Sequence, residues 1–303
     1  MSGPEGRPDQ PRPTEARNEK ARGLESFTTR QILELMNDED ATVPGAVRAA
    51  LPAMEKAVDE FVNALRAGHR LRYIGAGTSG RLGVLDASEA PPTFGVDDDL
   101  VRGIIAGGDV ALRHAVEGAE DDSSAGARAA RDHVRAGDVL VGVSASGRAK
   151  FVTAAMVMAR ELGARTVALT CDGASPLAKD ADITIAVDVG PEVLAGSSRL
   201  KAGTATKLVL NQVTTIAMVQ LGKVYENLMV DLRATNLKLW DRGARIIAML
   251  TDLARDDAMD LLKRADGHVK VAIVMHKRGV PREQALEMLK RADGRLRGAV
   301  EQA

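Results

Sequence analysis

Aromatic side chains are scarce in this chain, 2% of 303 residues, so there is no series of rings on which the bases of a nucleic acid would stack. An excess of one charge is missing as well. Lys and Arg number 41 and Asp and Glu 42, giving a formal net charge of -1 and no basic field to hold nucleic acid or an acidic membrane surface. A single cysteine, Cys171, excludes an internal disulfide and any zinc site built on several thiolates, and it fits a reducing compartment. No apolar run approaches the roughly 18 residues that a membrane span needs. Residues 1–20 are rich in Pro, Arg, Glu and Asp rather than signal-like. The expectation is a soluble cytoplasmic protein that takes a small molecule, with no nucleic acid and no membrane as partner.

The chain divides by composition and period. Residues 1–19 carry Pro4, Pro8, Pro11 and Pro13 among charged groups. With little apolar surface to offset ordering entropy, they are expected to form a disordered tail. Helical spacing follows, with Thr28 or Thr29 as a cap and a second stretch from Pro44 to Arg66. From Leu71 the period changes to short β-branched runs at Leu71–Ile74, Val101–Ile105, Val139–Val143, Thr166–Thr170 and Ile183–Val187, with helical stretches between most of them. That alternation implies an α/β fold: a parallel β-sheet sandwiched by helices, Rossmann-like, with ligand loops at the carboxyl ends of the strands. Ala202 to Leu221 is apolar almost all round and reads as a buried helix in which Asn211 needs a partner. Near the end, Ala258–Gly267 echoes Ala285–Gly294, two short helices each ended by Gly. The expected organisation is a catalytic domain over 20–244, including the N-terminal helices, and a small helical C-terminal subdomain over 245–303.

Three polar loops attract attention. Gly75-Ala-Gly-Thr-Ser-Gly80 follows a predicted strand and opens a predicted helix, where backbone N–H groups and the helix dipole favour an anion. Its Gly75, Gly77 and Gly80 fit a dinucleotide spacing, and Asp97, Asp98 and Asp99 lie about where a ribose acid would, but the Lys of a Walker loop is missing. Ser144-Ala-Ser-Gly147 has the same strand-to-helix context, and Gly196-Ser-Ser-Arg-Leu-Lys201 precedes the buried helix. One such loop is ordinary capping chemistry; three in register suit a phosphate, with hydroxyls as donors and Lys201 as a point charge. Two carboxylates accompany them, Glu89 before Pro91-Pro92 and Glu120 in an acidic cluster with Glu117, Asp121 and Asp122. Sequence alone does not separate Glu120 from Glu117. Paired carboxyl groups beside a phosphate cradle, without a sign of a metal or nucleotide site, suggest acid/base chemistry on a sugar phosphate.

At these residues the chain resembles the N-acetylmuramic acid 6-phosphate etherases of the sugar-isomerase (SIS) superfamily. The likeness is carried by Gly75 to Gly95, Ser144–Gly147 and Glu192–Thr204, and extends from Thr14-Glu-Ala-Arg-Asn18 through Lys223–Asp231 to the C-terminal repeat. The resemblance implies an SIS-type fold, a homodimer, and a cofactor-free lyase. Such a lyase splits the D-lactyl ether of N-acetylmuramate 6-phosphate during amino-sugar recycling, giving N-acetylglucosamine 6-phosphate and D-lactate. It maps the acid/base pair onto Glu89, as proton donor to the leaving lactate, and Glu120, as base. It maps phosphate contacts onto Thr78, Ser79, Ser144 and Ser146, with Ser198 and Lys201 beside them. Ala90, Ser198 and Leu200 stand where that family commonly carries Cys, Thr and Met; none of these departures removes a carboxylate or a charged donor.

The chemistry fits two carboxyl groups. An alkyl ether leaves poorly, but opening the sugar ring exposes an aldehyde that makes the C2 hydrogen abstractable. The C3 lactyl oxygen then departs by β-elimination, and water adds to the unsaturated product. One carboxylate removes the proton and one carboxylic acid, kept protonated by its surroundings, supplies the other. Two further readings share the cradle: a non-catalytic sugar-phosphate sensor, which needs no acid pair, and an aldose–ketose isomerase, which breaks no ether.

Overall fold

The computed structural model describes residues 13–301. All five short runs are strands: β1 (Leu71–Gly75), β2 (Val101–Ile105), β3 (Val139–Val143), β4 (Arg165–Thr170) and β5 (Ile183–Ala186). They form one parallel sheet in the order β2-β1-β3-β4-β5. Burial follows this order. β1 and β3 are buried at every residue, whereas the edge strands β2 and β5 are only partly covered, as a sheet with helices on both faces requires.

Helices α1 (Thr29–Asp40), α2 (Val43–Ala49) and α3 (Leu51–Arg66) precede the sheet. Within it run α4 (Gly77–Phe94), α5 (Ser123–His133), α6 (Lys150–Glu161) and α7 (Pro176–Asp180). After it comes α8 (Lys201–Gln220), then α9 (Leu237–Thr251), α10 (Arg255–Arg264), α11 (Val269–Arg278), α12 (Arg282–Arg291) and α13 (Leu296–Glu301). One core joins α2, α3, α4 and α8 to one face of the sheet through residues such as Phe61, Tyr73, Val141 and Met218. A second core lies under α5 and α6 on the other face, around Ile74, Leu140 and Met156. Burying a side chain of this size stabilises by about 1.5–3 kcal/mol. The expected buried helix is α8, and Asn211 finds its partner in Asp86 of α4, donating from Nδ2 to Oδ1 at 2.7 Å. Thr214 donates to the other oxygen of Asp86 at 2.6 Å and meets the Tyr73 hydroxyl, so every member of this buried polar group is satisfied.

A third core, separate from the sheet, is formed by α9 to α13 and begins with Val230 and Leu232. Here the sequence echo has a structural meaning. α10 and α12 each end in Ala-Asp-Gly with Asp and Gly at positive φ, and the glycine N–H returns to a leucine carbonyl in the last turn, Gly267 to Leu262 at 3.0 Å and Gly294 to Leu289 at 2.8 Å. Lys270 of α11 is buried among Asp231 (2.9 Å), the Gly222 carbonyl (2.8 Å) and the Gly294 carbonyl (2.6 Å). It ties this helical unit to the end of α8.

The tail expected over residues 1–19 needs correction. Residues 1–12 lie outside the described residues, but from Pro13 the chain is folded in short 3-10 turns. Thr14 is buried, and Asn18 caps the turn at Glu19–Ala21 while donating to Glu39 at 2.9 Å and to the Pro191 carbonyl at 3.4 Å. Polar anchoring, which hydropathy does not register, holds this segment down.

Candidate active site

The strands all run the same way, but the order in which they are added reverses at β1, which pairs with β2 on one side and with β3 on the other. A crevice opens at such a point beyond the strand ends. The loops following β1 and β3 flank it and enclose a pocket of about 250 Å³. Gly77, Thr78 and Ser79 contribute from the start of α4, and Ser144, Ala145 and Ser146 from the loop after β3. Close approach of strand and helix dictates the glycines here. A Cβ on Gly75 would lie 2.7 Å from the Gly80 nitrogen, and one on Gly80 would lie 2.6 Å from Ile105 Cγ1. The second loop is fixed by backbone: the Ser144 N–H donates to the Leu169 carbonyl at 3.0 Å and the Cys171 N–H to the Ala145 carbonyl at 2.9 Å. Cys171 itself is buried, and burial, with Glu192 and Asp188 nearby, pushes its thiol up to about 12.

Helix ends explain which loops face a ligand. Neither α4 nor α6 has a side-chain cap, and their first residues, Gly77 and the Ala149 cap position, line the pocket. Their N–H groups and dipoles add to the hydroxyls of Thr78, Ser79, Ser144, Ser146 and Ser198. The α8 terminus differs. The buried Glu192 carboxylate caps it, accepting from the Lys201 N–H and the Ala202 N–H at 3.0 Å each.

Lys201 therefore does not stand where the sequence reading put it. Its side chain is buried and turned into an ion pair with Glu39 of α1, Nζ to Oε2 at 2.6 Å, and it is not among the pocket-lining residues. Lys20 pairs with the other Glu39 oxygen at 2.8 Å. Burial raises the Glu39 carboxyl, but the hydrogen bonds and charges of Lys20 and Lys201 outweigh it and hold the group at about 2. The described residues lining the pocket include no Lys or Arg, so an anion here would be held by neutral donors.

The acidic cluster resolves into separate duties. Asp121 pairs with Lys150 at 3.5 Å, and Asp122 caps α5 through the Ala125 N–H at 2.8 Å. Glu120, in a 3-10 turn, is the member of the cluster that lines the pocket, whereas Glu117 does not. Glu89 is the exception to the expected assembly. It sits late in α4, twelve residues after Gly77, which at about 1.5 Å per residue is roughly 18 Å along the helix axis. Its side chain is exposed, on one stripe with Leu85, which is 51% exposed, and it does not reach the pocket of its own chain. Asp99, the candidate ribose acid, is instead engaged by Arg70, Arg72 and Arg102 at 3.1, 3.2 and 3.4 Å. Gly196, which opens the third polar loop, lines the pocket too, and so do Thr14 and Glu15, which were not among the candidate site residues. Thr14 and Glu15 open the motif Thr14-Glu-Ala-Arg-Asn18, the available signal.

A parallel sheet covered on both faces, with a hydroxyl-lined pocket at its reversal point, is the architecture of a doubly wound α/β protein, and family models identify it as an SIS-domain protein. The glucokinase regulatory protein N-terminal SIS domain matches residues 53–160, and the SIS domain matches residues 120–216. A putative phosphosugar isomerase involved in capsule formation from Bacteroides fragilis superimposes with a TM-score of 0.50 at 17% identity, covering 66% of this chain and 95% of that one, a likeness of fold. An N-acetylmuramic acid 6-phosphate etherase of Yersinia pestis (strain Pestoides F) is 53% identical over 268 residues, 88% of this chain and 91% of the relative. A Yersinia pseudotuberculosis (serotype O:1b, strain IP 31758) protein of the same name aligns with the same figures. The chain belongs to the N-acetylmuramic acid 6-phosphate etherase family.

Proposed function

We propose that the pocket between β1 and β3 carries out the family's reaction: the chain is a carbon–oxygen lyase that cleaves the D-lactyl ether of N-acetylmuramate 6-phosphate, leaving N-acetylglucosamine 6-phosphate and D-lactate. The observation that carries this reading is 53% identity to etherases over 88% of the chain, together with a carboxylate, Glu120, beside the hydroxyl cradle. The phosphate rests on Thr78, Ser79, Ser144, Ser146 and Ser198 and on the N-termini of α4 and α6, with Lys201 bracing the α8 end through Glu39 rather than touching it. Glu120 is the base that removes the C2 proton once the ring has opened, a second carboxyl group protonates the departing lactyl oxygen, and water then adds across the resulting C2–C3 double bond, placing a hydroxyl on C3 and a proton on C2.

Glu89 is our candidate for that acid, supplied by the second copy of a cytoplasmic homodimer. Its distance from its own pocket and the exposed Leu85 beside it on α4 favour such a contact. The test is D-lactate release by Glu89→Gln and Glu120→Gln, alone and mixed. Each variant alone should lose at least about 100-fold in kcat. Dimers formed from the two variants should regain activity, because one of their two sites would hold both native carboxylates. Failure of mixed dimers to recover would remove Glu89 from the partner's site, and near-normal turnover by either variant would remove that residue from the chemistry. Similarity to the glucokinase regulatory SIS domain over residues 53–160 favours a binding-only reading. That reading predicts sugar-phosphate binding with no lactate formed.

A further inference from the structure

The N-terminal segment brings a second carboxylate into the pocket of the same chain. Glu15, at the end of the turn Pro13–Glu15, lines the pocket with Thr14. Its carboxylate lies over Gly196, where a Cβ would come within 3.1 Å of Oε2. No hydrogen bond or ion pair to another described residue engages that carboxylate, unlike the Glu39 and Glu192 groups nearby. Its backbone is nevertheless held in place. Thr14 is buried, and four residues later Asn18 donates to Glu39, which Lys201 fastens from the start of α8. Pocket wall, N-terminal turn and α8 are thus joined through one ion cluster.

A carboxylate repels phosphate, so it does not belong to the anion cradle. What it does well is accept hydrogen bonds from hydroxyl or amide N–H donors, which the sugar portion of a phosphorylated amino sugar carries in number. We infer that Glu15 is a specificity residue of this site, accepting hydrogen bonds from the donors of the sugar while the hydroxyl loops hold its phosphate. The inference rests on the etherase reading and adds a residue to it. Lys201 acquires a role from the same geometry: it positions Glu15 through Glu39 and Asn18.

The experiment compares the wild-type chain with Glu15→Ala and Glu15→Gln. Three quantities are read: kcat and KM for lactate release, the calorimetric affinity for N-acetylglucosamine 6-phosphate, and that for inorganic phosphate. Loss of hydrogen bonds to a charged acceptor predicts a fall of about 10- to 100-fold in kcat/KM, expressed mainly in KM. Affinity for the sugar phosphate should weaken similarly, while affinity for inorganic phosphate stays within about twofold. The melting temperature should not move, since no described residue relies on the Glu15 side chain. An unchanged kcat/KM would overturn the inference, as would equal weakening of sugar phosphate and phosphate, which would mark a structural effect on the whole pocket. The binding arm requires no turnover, so a wild-type chain that forms no lactate would count against the reaction and leave the Glu15 test standing.

Discussion

The α/β region and the helical region that follows it bury polar groups to different ends. In the first, buried Ser144 lines the pocket at the sheet's reversal point, and buried Glu192, Lys201 and Glu39 cap and brace the start of α8 beside it. In the second, from Val230 onward, the buried polar side chains among the described residues are Thr251 and Lys270, and both serve packing: Thr251 donates to the Ile247 carbonyl at 2.6 Å, and Lys270 ties the unit to α8. Each region contains one buried lysine with a carboxylate partner, Lys201 with Glu39 and Lys270 with Asp231. The same device supports a site in one place and joins elements in the other. A buried charge is thus no mark of function by itself; what it is connected to decides.

The largest expected effect separates those two lysines. Lys201→Met and Lys270→Met each remove the buried cation from a carboxylate that keeps a second, more exposed partner, Lys20 for Glu39 and Lys223 for Asp231, and should each cost about 3 kcal/mol in chemical denaturation. Only Lys201→Met should also raise KM for lactate release, because it loosens the segment carrying Glu15. Equal KM values in the two variants would break the comparison. A smaller effect comes from acid. The Glu39 carboxyl, held at about 2 when folded against an ordinary 4.5, contributes stability that is full above pH 5 and is lost as pH falls toward 2. After discounting the exposed Lys20, that contribution is about 2 kcal/mol. Stability curves of wild type and Glu39→Gln should therefore differ at pH 7 and converge near pH 2; parallel curves would show that the ion cluster holds nothing together. The smallest change sharpens the contrast at a single hydroxyl. Ser144→Ala should raise KM about tenfold with little loss of stability, whereas Thr251→Val should leave KM unaltered and shift unfolding by no more than about 1 kcal/mol.

The sheet was legible because β-branched runs of strand length stand out between helical stretches, and every one of the five became a strand. The hydroxyl loops were legible because strand-to-helix junctions sit by rule at the ligand edge of a parallel sheet. Three placements escaped. Lys201 reads as a helix-end charge near a phosphate loop, but its partner Glu39 lies 162 residues away in the chain, and no local pattern reports such a pairing. Glu15 was hidden by its neighbours: prolines and charges describe a disordered tail, yet the buried Thr14 and the Asn18 hydrogen bonds fold the segment from Pro13 on. Composition measures apolar burial and is blind to anchoring by a few polar contacts. Glu89 was placed near the pocket in expectation, but helix length carries it out to an exposed face. Its neighbourhood in sequence is not its neighbourhood in space.

Cys171 has a practical consequence. With its sulfur enclosed and its ionisation pushed up to about 12, it offers almost no thiolate to a maleimide at neutral pH. A cysteine introduced on an exposed face would then be the one reactive thiol among the described residues. A fluorophore or cross-linker placed in the position of Ser88 would report directly on whether two copies meet along α4, with no need to remove the native cysteine first.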